Sequence, residues 1–151
     1  MKFKKSFIWI AVATAFAAII VGVAANFADE PKIIARANIK ISDDIKSLAT
    51  HHSTLFVTVF EGDNPMPYGA MREPITVNSE GGLRQIVLTE EKLMVMDSSR
   101  PRPERMRIKV RLDADGSAGP DQPGDITGQI SGIEWGSKET LEVTLDTFIK
   151  E

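Results

Sequence analysis

The apolar pattern of this chain predicts an all-β domain: a sandwich of about seven antiparallel strands, preceded by one N-terminal transmembrane helix. Three features carry the expectation. Period-two alternation recurs from Lys32 onward, clusters of glycine, proline, asparagine and aspartate separate the alternating runs, and one long uncharged stretch precedes them all. With 151 residues there is room for one domain and a short leading segment.

The leading segment is residues 1–28. Lys2, Lys4 and Lys5 precede an uncharged run from Ser6 to Ala28 rich in Ala, Val, Ile and Phe. At helical rise that run spans about 30 Å, the hydrocarbon thickness of a bilayer. The lysines before it and Asp29-Glu30 after it place the N-terminus in the cytoplasm by the positive-inside bias. The expected location is therefore the bacterial inner membrane, with the domain on the periplasmic side. A cleaved signal peptide is the competing expectation, because Val23-Ala24-Ala25 is an acceptable small-residue cleavage site. The apolar run exceeds a typical signal core, and Trp9 suits an interfacial anchor. Either way the domain is exported. Residues 29–32 form a short linker, and 33–151 form the domain.

The strands follow in order. Ile33, Ala35, Ala37, Ile39 and Ile41 share one face, with Arg36, Asn38, Lys40 and Ser42 on the other. A helical turn is expected at 42–48, with Ser42 as its cap and Asp43-Asp44 in its first turn. Leu55–Phe60 is nearly continuous in apolar character, which suits a strand covered on both faces. Tyr68–Val77 and Gln85–Thr89 are weaker strand candidates. Met106, Ile108, Val110 and Leu112 alternate with Arg105, Arg107, Lys109 and Arg111. Ile126, Ile130 and Ile133 mark a glycine-interrupted strand ending near Trp135. Leu141, Val143 and Leu145 alternate with Glu142, Thr144 and Asp146. Turn signals lie at Glu61–Pro65, Ser79–Gly82, Asp113–Gly116 and Gly119–Gly124.

Composition excludes several function classes. Beyond Ala28 there are 15 basic and 21 acidic residues, a net charge of −6, which argues against nucleic acid as a partner. There is no cysteine, so thiol–disulfide exchange, thiolate catalysis, thiolate-bound zinc and covalent haem attachment are excluded. No nucleophile elbow, zinc-protease helix or phosphate-cradling glycine loop is present. The chain is read as a binding module and not an enzyme.

Two candidate binding elements emerge. Arg105, Arg107, Lys109 and Arg111 form a basic stripe on one strand face, with Arg100 and Arg102 leading into it. Such a stripe serves either as a docking surface or as a solvated face paired with carboxylates such as Glu142. Pro65, Met66, Pro67 and Tyr68 form a pre-ordered loop, which serves either recognition or the turn itself. Pro123, Gly124, Asp125 and Gly128 form a turn motif with a structural reading: Gly124 permits a positive φ, and Asp125 can accept from nearby amides. His51-His52 with Met66, Met71, Met94, Met96 and Met106 raises a copper site, and Asp113, Asp115, Asp121 and Asp125 raise calcium. Adjacent histidines point to opposite sides of an extended chain, Met106 alternates with core residues, and Asp-Gly is more simply a hairpin turn. No metal and no cofactor is therefore assigned.

Several of these segments stand in a meaningful order. Leu55–Phe60 leads into Pro65-Met66-Pro67 and then Ala70-Met71-Arg72. Val87-Leu88-Thr89-Glu90-Glu91 then steps into Leu93-Met94-Val95-Met96. Ile108–Leu112, the hairpin Asp113–Gly119 and Gln122-Pro123-Gly124-Asp125-Ile126-Thr127-Gly128 complete the series. From about Ile33 to the C-terminus the chain resembles the C-terminal periplasmic domain of the cytochrome c maturation proteins CcmI, also called CycH. The resemblance implies an immunoglobulin- or cupredoxin-like sandwich. It also implies a scaffold role in cytochrome c biogenesis, either in haem-lyase assembly or in apocytochrome handling. Its partners would be envelope proteins of that system. A periplasmic small-ligand or copper carrier on the same sandwich is the alternative. In that family, tetratricopeptide repeats ahead of this domain grip the apocytochrome. The present sequence contains no such repeats, so that role is not carried over. The hairpin, usually basic in the family, is here the acidic Asp113-Ala114-Asp115-Gly116.

Overall fold

A computed structural model of the chain describes residues 30–77 and 82–151. The expected anchor at 1–28 and the turn around Ser79–Gly81 lie outside the described residues. Among the described residues no helix is long and apolar enough to cross a membrane.

Two β-sheets face one another, and their facing sides follow from the alternation. The strands are β1 (Ile33–Ile41), β2 (Thr54–Glu61), β3 (Pro67–Pro74), β4 (Gly82–Thr89), β5 (Met94–Val95), β6 (Arg105–Asp113), β7 (Ile126–Glu134), β8 (Thr140–Leu145) and β9 (Thr147–Phe148). One sheet has the order β4-β1-β8 and the other β5-β3-β2-β6-β7-β9. The seven longer strands overlap the seven predicted runs, although β3 ends at Pro74 and not at Val77 and β4 begins at Gly82 and not at Gln85. The two-residue β5 and β9 add to them, because a run of two shows no alternation to read.

Pairing corrects the all-antiparallel expectation. β1 and β8 run parallel, from Arg36↔Thr140 to Ile41↔Leu145, although every other described pair is antiparallel. Period-two patterning specifies which face is buried but not strand direction. Across this parallel pair, Lys40 and Asn38 hold the Glu142 carboxylate at 2.7 Å each, and these bonds lower its pKa, the one from Lys40 most. Glu142 thus serves the smaller sheet and not the basic stripe.

Between the sheets lie Ile34, Ile39, Leu55, Val57, Val59, Leu88, Met106, Ile108, Val110, Leu112, Ile126, Val143 and Leu145, each almost wholly buried. Burial of each such side chain is worth about 1.5–3 kcal/mol. Two bulges adjust the simple alternation. A register shift between Ile33 and Ala35 places Ile34, not Ile33, deep in the core. On β7 a shift opposite Met106/Arg107 accommodates Gly132, whose φ is +78°, and carries the apolar positions from Ile130 to Ile133.

The expected helical turn is a 3-10 helix at Asp43–Leu48. Ser42 occupies its N-cap position but makes no side-chain capping bond; its backbone N–H instead donates to the Leu145 carbonyl at 2.9 Å. The helix start is therefore fixed by the neighbouring strand and not by the serine hydroxyl.

Candidate functional site

The strand β2 is covered on both faces, as its continuous apolar run implies, but by different means. Leu55, Val57 and Val59 enter the core between the sheets. Phe56, Thr58 and Phe60 point to the opposite, outer face. There, directly opposed residues form rows across three strands: Arg72–Phe56–Arg111, Ala70–Thr58–Lys109 and Pro67–Phe60–Arg107. Arginines, rather than a further layer of secondary structure, cover the two rings. The Arg111 guanidinium lies 4.9 Å from the Phe56 ring centre and that of Arg72 5.9 Å; Arg107 stacks on Phe60 at 4.0 Å.

This face forms a groove of about 810 Å³. Phe56, Thr58, Phe60 and Ala70 make the floor. Pro65, Pro67, Met94 and Met96 stand along one side, and Ala118–Asp121 of the β6–β7 connection stand along the other. The two candidate binding elements thus converge, since Pro65 and Pro67 line the same groove as Lys109 and Arg111. Arg107 ties them together, donating to the carbonyls of Gly62 (3.4 Å) and Asn64 (3.3 Å) in the loop. The loop is pre-ordered by more than its prolines. The Asn64 carboxamide accepts from the Met66 amide at 2.9 Å, and Gly62 takes a φ of +49°.

The four cations of the stripe have separate fates. Arg105 is exposed at the start of β6. Arg107 bonds only neutral acceptors, among them Gln129 Oε1 at 3.4 Å. Lys109 pairs with Asp121. Arg111 is only 6% exposed and serves the interior of the domain. Its Nη2 lies 2.8 Å from Asp113, and it also donates to the carbonyls of Gly119 (2.7 Å) and Ser117 (3.1 Å). Its Nε is 3.6 Å from Asp125, an ion-pair distance too long for a hydrogen bond. Arg72, Arg105 and Arg107 have no carboxylate partner among the described residues.

Tyr68 does not share the exposure of its neighbours. It is buried, with its ring edge-on to Trp135 at 5.6 Å and Arg100 placed 5.8 Å above it. Arg100 and Arg102 bind inside the domain too. Arg100 bonds Glu61 at 3.2 Å and the Pro67 carbonyl at 3.0 Å, while Arg102 bonds Glu90 at 3.2 Å and lies over Trp135. Together they strap residues 97–104 down. The head of that strap is a turn in which Asp97 accepts from the hydroxyl and amide of Ser99, and these bonds lower its carboxyl pKa.

The turn motif sits at one end of the sandwich. Pro123 and Gly124 occupy the two central positions of a turn closed by Asp125 N–H to the Gln122 carbonyl at 3.1 Å, and Gly124 has a φ of +97°. The buried Asp125 carboxylate accepts from the amides of Ala114 (3.0 Å) and Gln122 (2.8 Å). Gly128 is where β7 meets β8: a Cβ there would stand 2.0 Å from the Thr144 carbonyl oxygen. Among the aspartates raised for calcium, Asp113, Asp121 and Asp125 surround the Arg111 cation. Asp115 instead caps its own turn, its pKa lowered chiefly by the Ser117 amide.

His52 and Met66 flank opposite ends of β2, about 23 Å apart at strand rise. The His52 ring nitrogen Nε2 donates to the Gly124 carbonyl at 2.9 Å. Met71 and Met106 are buried, whereas Met66, Met94 and Met96 are 65%, 74% and 58% exposed. The histidines and exposed methionines therefore do not form one ligand set.

Sequence reading missed Phe56, Phe60, Arg72, Met94, Met96 and 118–121 as parts of one face. The doubly apolar run of β2 was the available signal for the two phenylalanines. The others depend on strand order. No match was found among curated proteins or among solved structures. Residues 35–146, however, match the family model described as the cytochrome c-type biogenesis protein H Ig-like domain. That match takes in all strands but β9 and the first two residues of β1, with the groove floor and the Pro-Gly-Asp turn, and this chain accordingly belongs to that family.

Proposed function

We propose that the domain is a non-enzymatic docking module of cytochrome c biogenesis, binding a protein partner on the outer face of its larger sheet. The observation that carries the reading is the convergence of the Pro65–Pro67 loop, the exposed methionines Met94 and Met96, and the outer face of β6 on one groove. An apolar surface bordered by flexible thioethers and fixed cations has the properties of a protein-binding site. Residues 1–28 hold the chain at the inner membrane in this reading, with the domain in the periplasm beside haem-lyase and apocytochrome components. The scaffold presents the groove and performs no bond-making step.

The test is photocrosslinking in cells from a reactive residue replacing Met94, compared with one replacing Lys40 on the smaller sheet. The expected result is capture of haem-lyase or apocytochrome components from position 94 and not from position 40. Equal capture from both positions, or none from position 94, would overturn the proposal.

A further inference from the structure

Resting on that docking reading, we infer that the groove receives a short amphipathic helix carrying acidic residues towards both ends of an apolar stripe. The argument begins with hydrogen bonding. The floor strand β2 is paired on both sides, to β3 and to β6, so its backbone offers no free groups to an incoming chain. An extended peptide laid on such a face would leave its own N–H and C=O groups without partners where it is desolvated. A helix satisfies them internally and brings only side chains.

Dimensions agree. The outer faces of β3 and β6 are two strand spacings apart, about 10 Å, and the sides formed by Met94/Met96 and 118–121 lie just beyond. A helix with its side chains is about 10–12 Å across. Along the strands, Phe56 and Phe60 are separated by four residues, about 13 Å, the length of two to three helical turns.

Charge selects the sign of the ligand. Arg72 lines the groove opposite Phe56 on β3, and Arg107 stands beside the groove opposite Phe60 on β6, so the two lie diagonally about 16 Å apart. Neither has a carboxylate partner among the described residues. Lys109 and Arg111 between them are already paired with aspartates. These two cations, neither neutralised by a carboxylate among the described residues, thus fit carboxylates near opposite ends of a helix of about three turns. The exposed methionines Met94 and Met96, with the ring edges of Phe56 and Phe60 that remain 9% exposed, fit its apolar stripe. Stacking on the rings restricts both guanidiniums before the ligand arrives, which reduces the entropy lost on binding.

The test uses the chain of residues 1–151 in phosphatidylcholine nanodiscs and fluorescein-labelled, lactam-stapled 14-residue helices. One helix carries a leucine stripe with glutamates near both ends; a second has lysine in place of each glutamate. The expected result is saturable binding of the glutamate helix. Arg72→Glu with Arg107→Glu weakens it by about tenfold or more and favours the lysine helix instead. Because Arg107 also holds the Pro65–Pro67 loop, Met94→Asp with Met96→Asp provides a second variant on exposed positions. It too weakens the glutamate helix, with thermal unfolding unchanged. Equal affinity for the two helices, or binding of neither, overturns the inference. So does arginine-dependent recruitment to phosphatidylglycerol vesicles without helix binding, which would make the face a membrane contact. If crosslinking from position 94 still captures maturation components while the glutamate helix fails to bind, this inference falls and the docking reading stands.

Discussion

Arg111 shows how one residue can look like part of a surface and act as part of the interior. Its place in an alternating basic series puts it on the outer face of β6, and it is there. Beside it, however, lie two buried carboxylates, Asp113 and Asp125, which also organise the turns at 113–116 and 122–125. Arg111→Met keeps much of the volume but leaves those aspartates without their cation. Breaking a buried pair from one side costs about 3–5 kcal/mol, and denaturant unfolding of the variant is expected to show a loss of that size. Arg105, exposed on the same strand, is expected to tolerate methionine with a change within about 0.5 kcal/mol. The stripe was legible in the sequence, but its division into interior and exterior members was not. Asp113 closes the same strand two positions on, but Asp121 and Asp125 lie 10 and 14 positions along the chain and reach Arg111 only through the folded β6–β7 connection. Gly124 was legible because proline and glycine encode a turn locally. Gly128 was legible only as part of a motif, since its reason is the backbone of β8 at Thr144.

At the scale of elements, the seven long strands follow from alternation and the turns from their glycines, prolines and aspartates. What escaped was pairing. The parallel match of β1 with β8 joins segments about a hundred residues apart, and β5 exists only because Gly69 lets Met94 and Leu93 approach β3 closely. The strap over 97–104 is an element of the same kind, regular in function but without secondary structure of its own. It is held by Arg100 and Arg102 on the Tyr68–Trp135 pair. Contacts of that kind contribute about 1 kcal/mol each. Trp135→Ala is therefore expected to speed amide hydrogen exchange at 97–104 by about five- to tenfold, while the amides of β2 and β6 keep their protection. Uniform acceleration across the domain would mean that Trp135 supports the whole sandwich and not the strap.

The whole molecule divides its labour between two sheets. The smaller sheet closes the core and uses its own charges, such as Lys40 and Glu142, within itself. The larger sheet closes the other side of the core and turns a second apolar face outward. That second face costs solubility unless something covers it; here arginines leave Phe56 and Phe60 only 9% exposed each, while Met94 and Met96 at its border stay exposed. Membership of the cytochrome c-type biogenesis protein H Ig-like family places the domain in that system, and the groove supplies the surface through which we propose it acts there. The most direct test is the amount of haem-bearing c-type cytochrome in cells where this chain is replaced by Met94→Asp with Met96→Asp. Both side chains are exposed, so the domain is expected to fold and accumulate as before while in-gel haem staining of c-type cytochromes falls severalfold. Normal staining with the variant at normal abundance would contradict the assignment of the groove as the working surface.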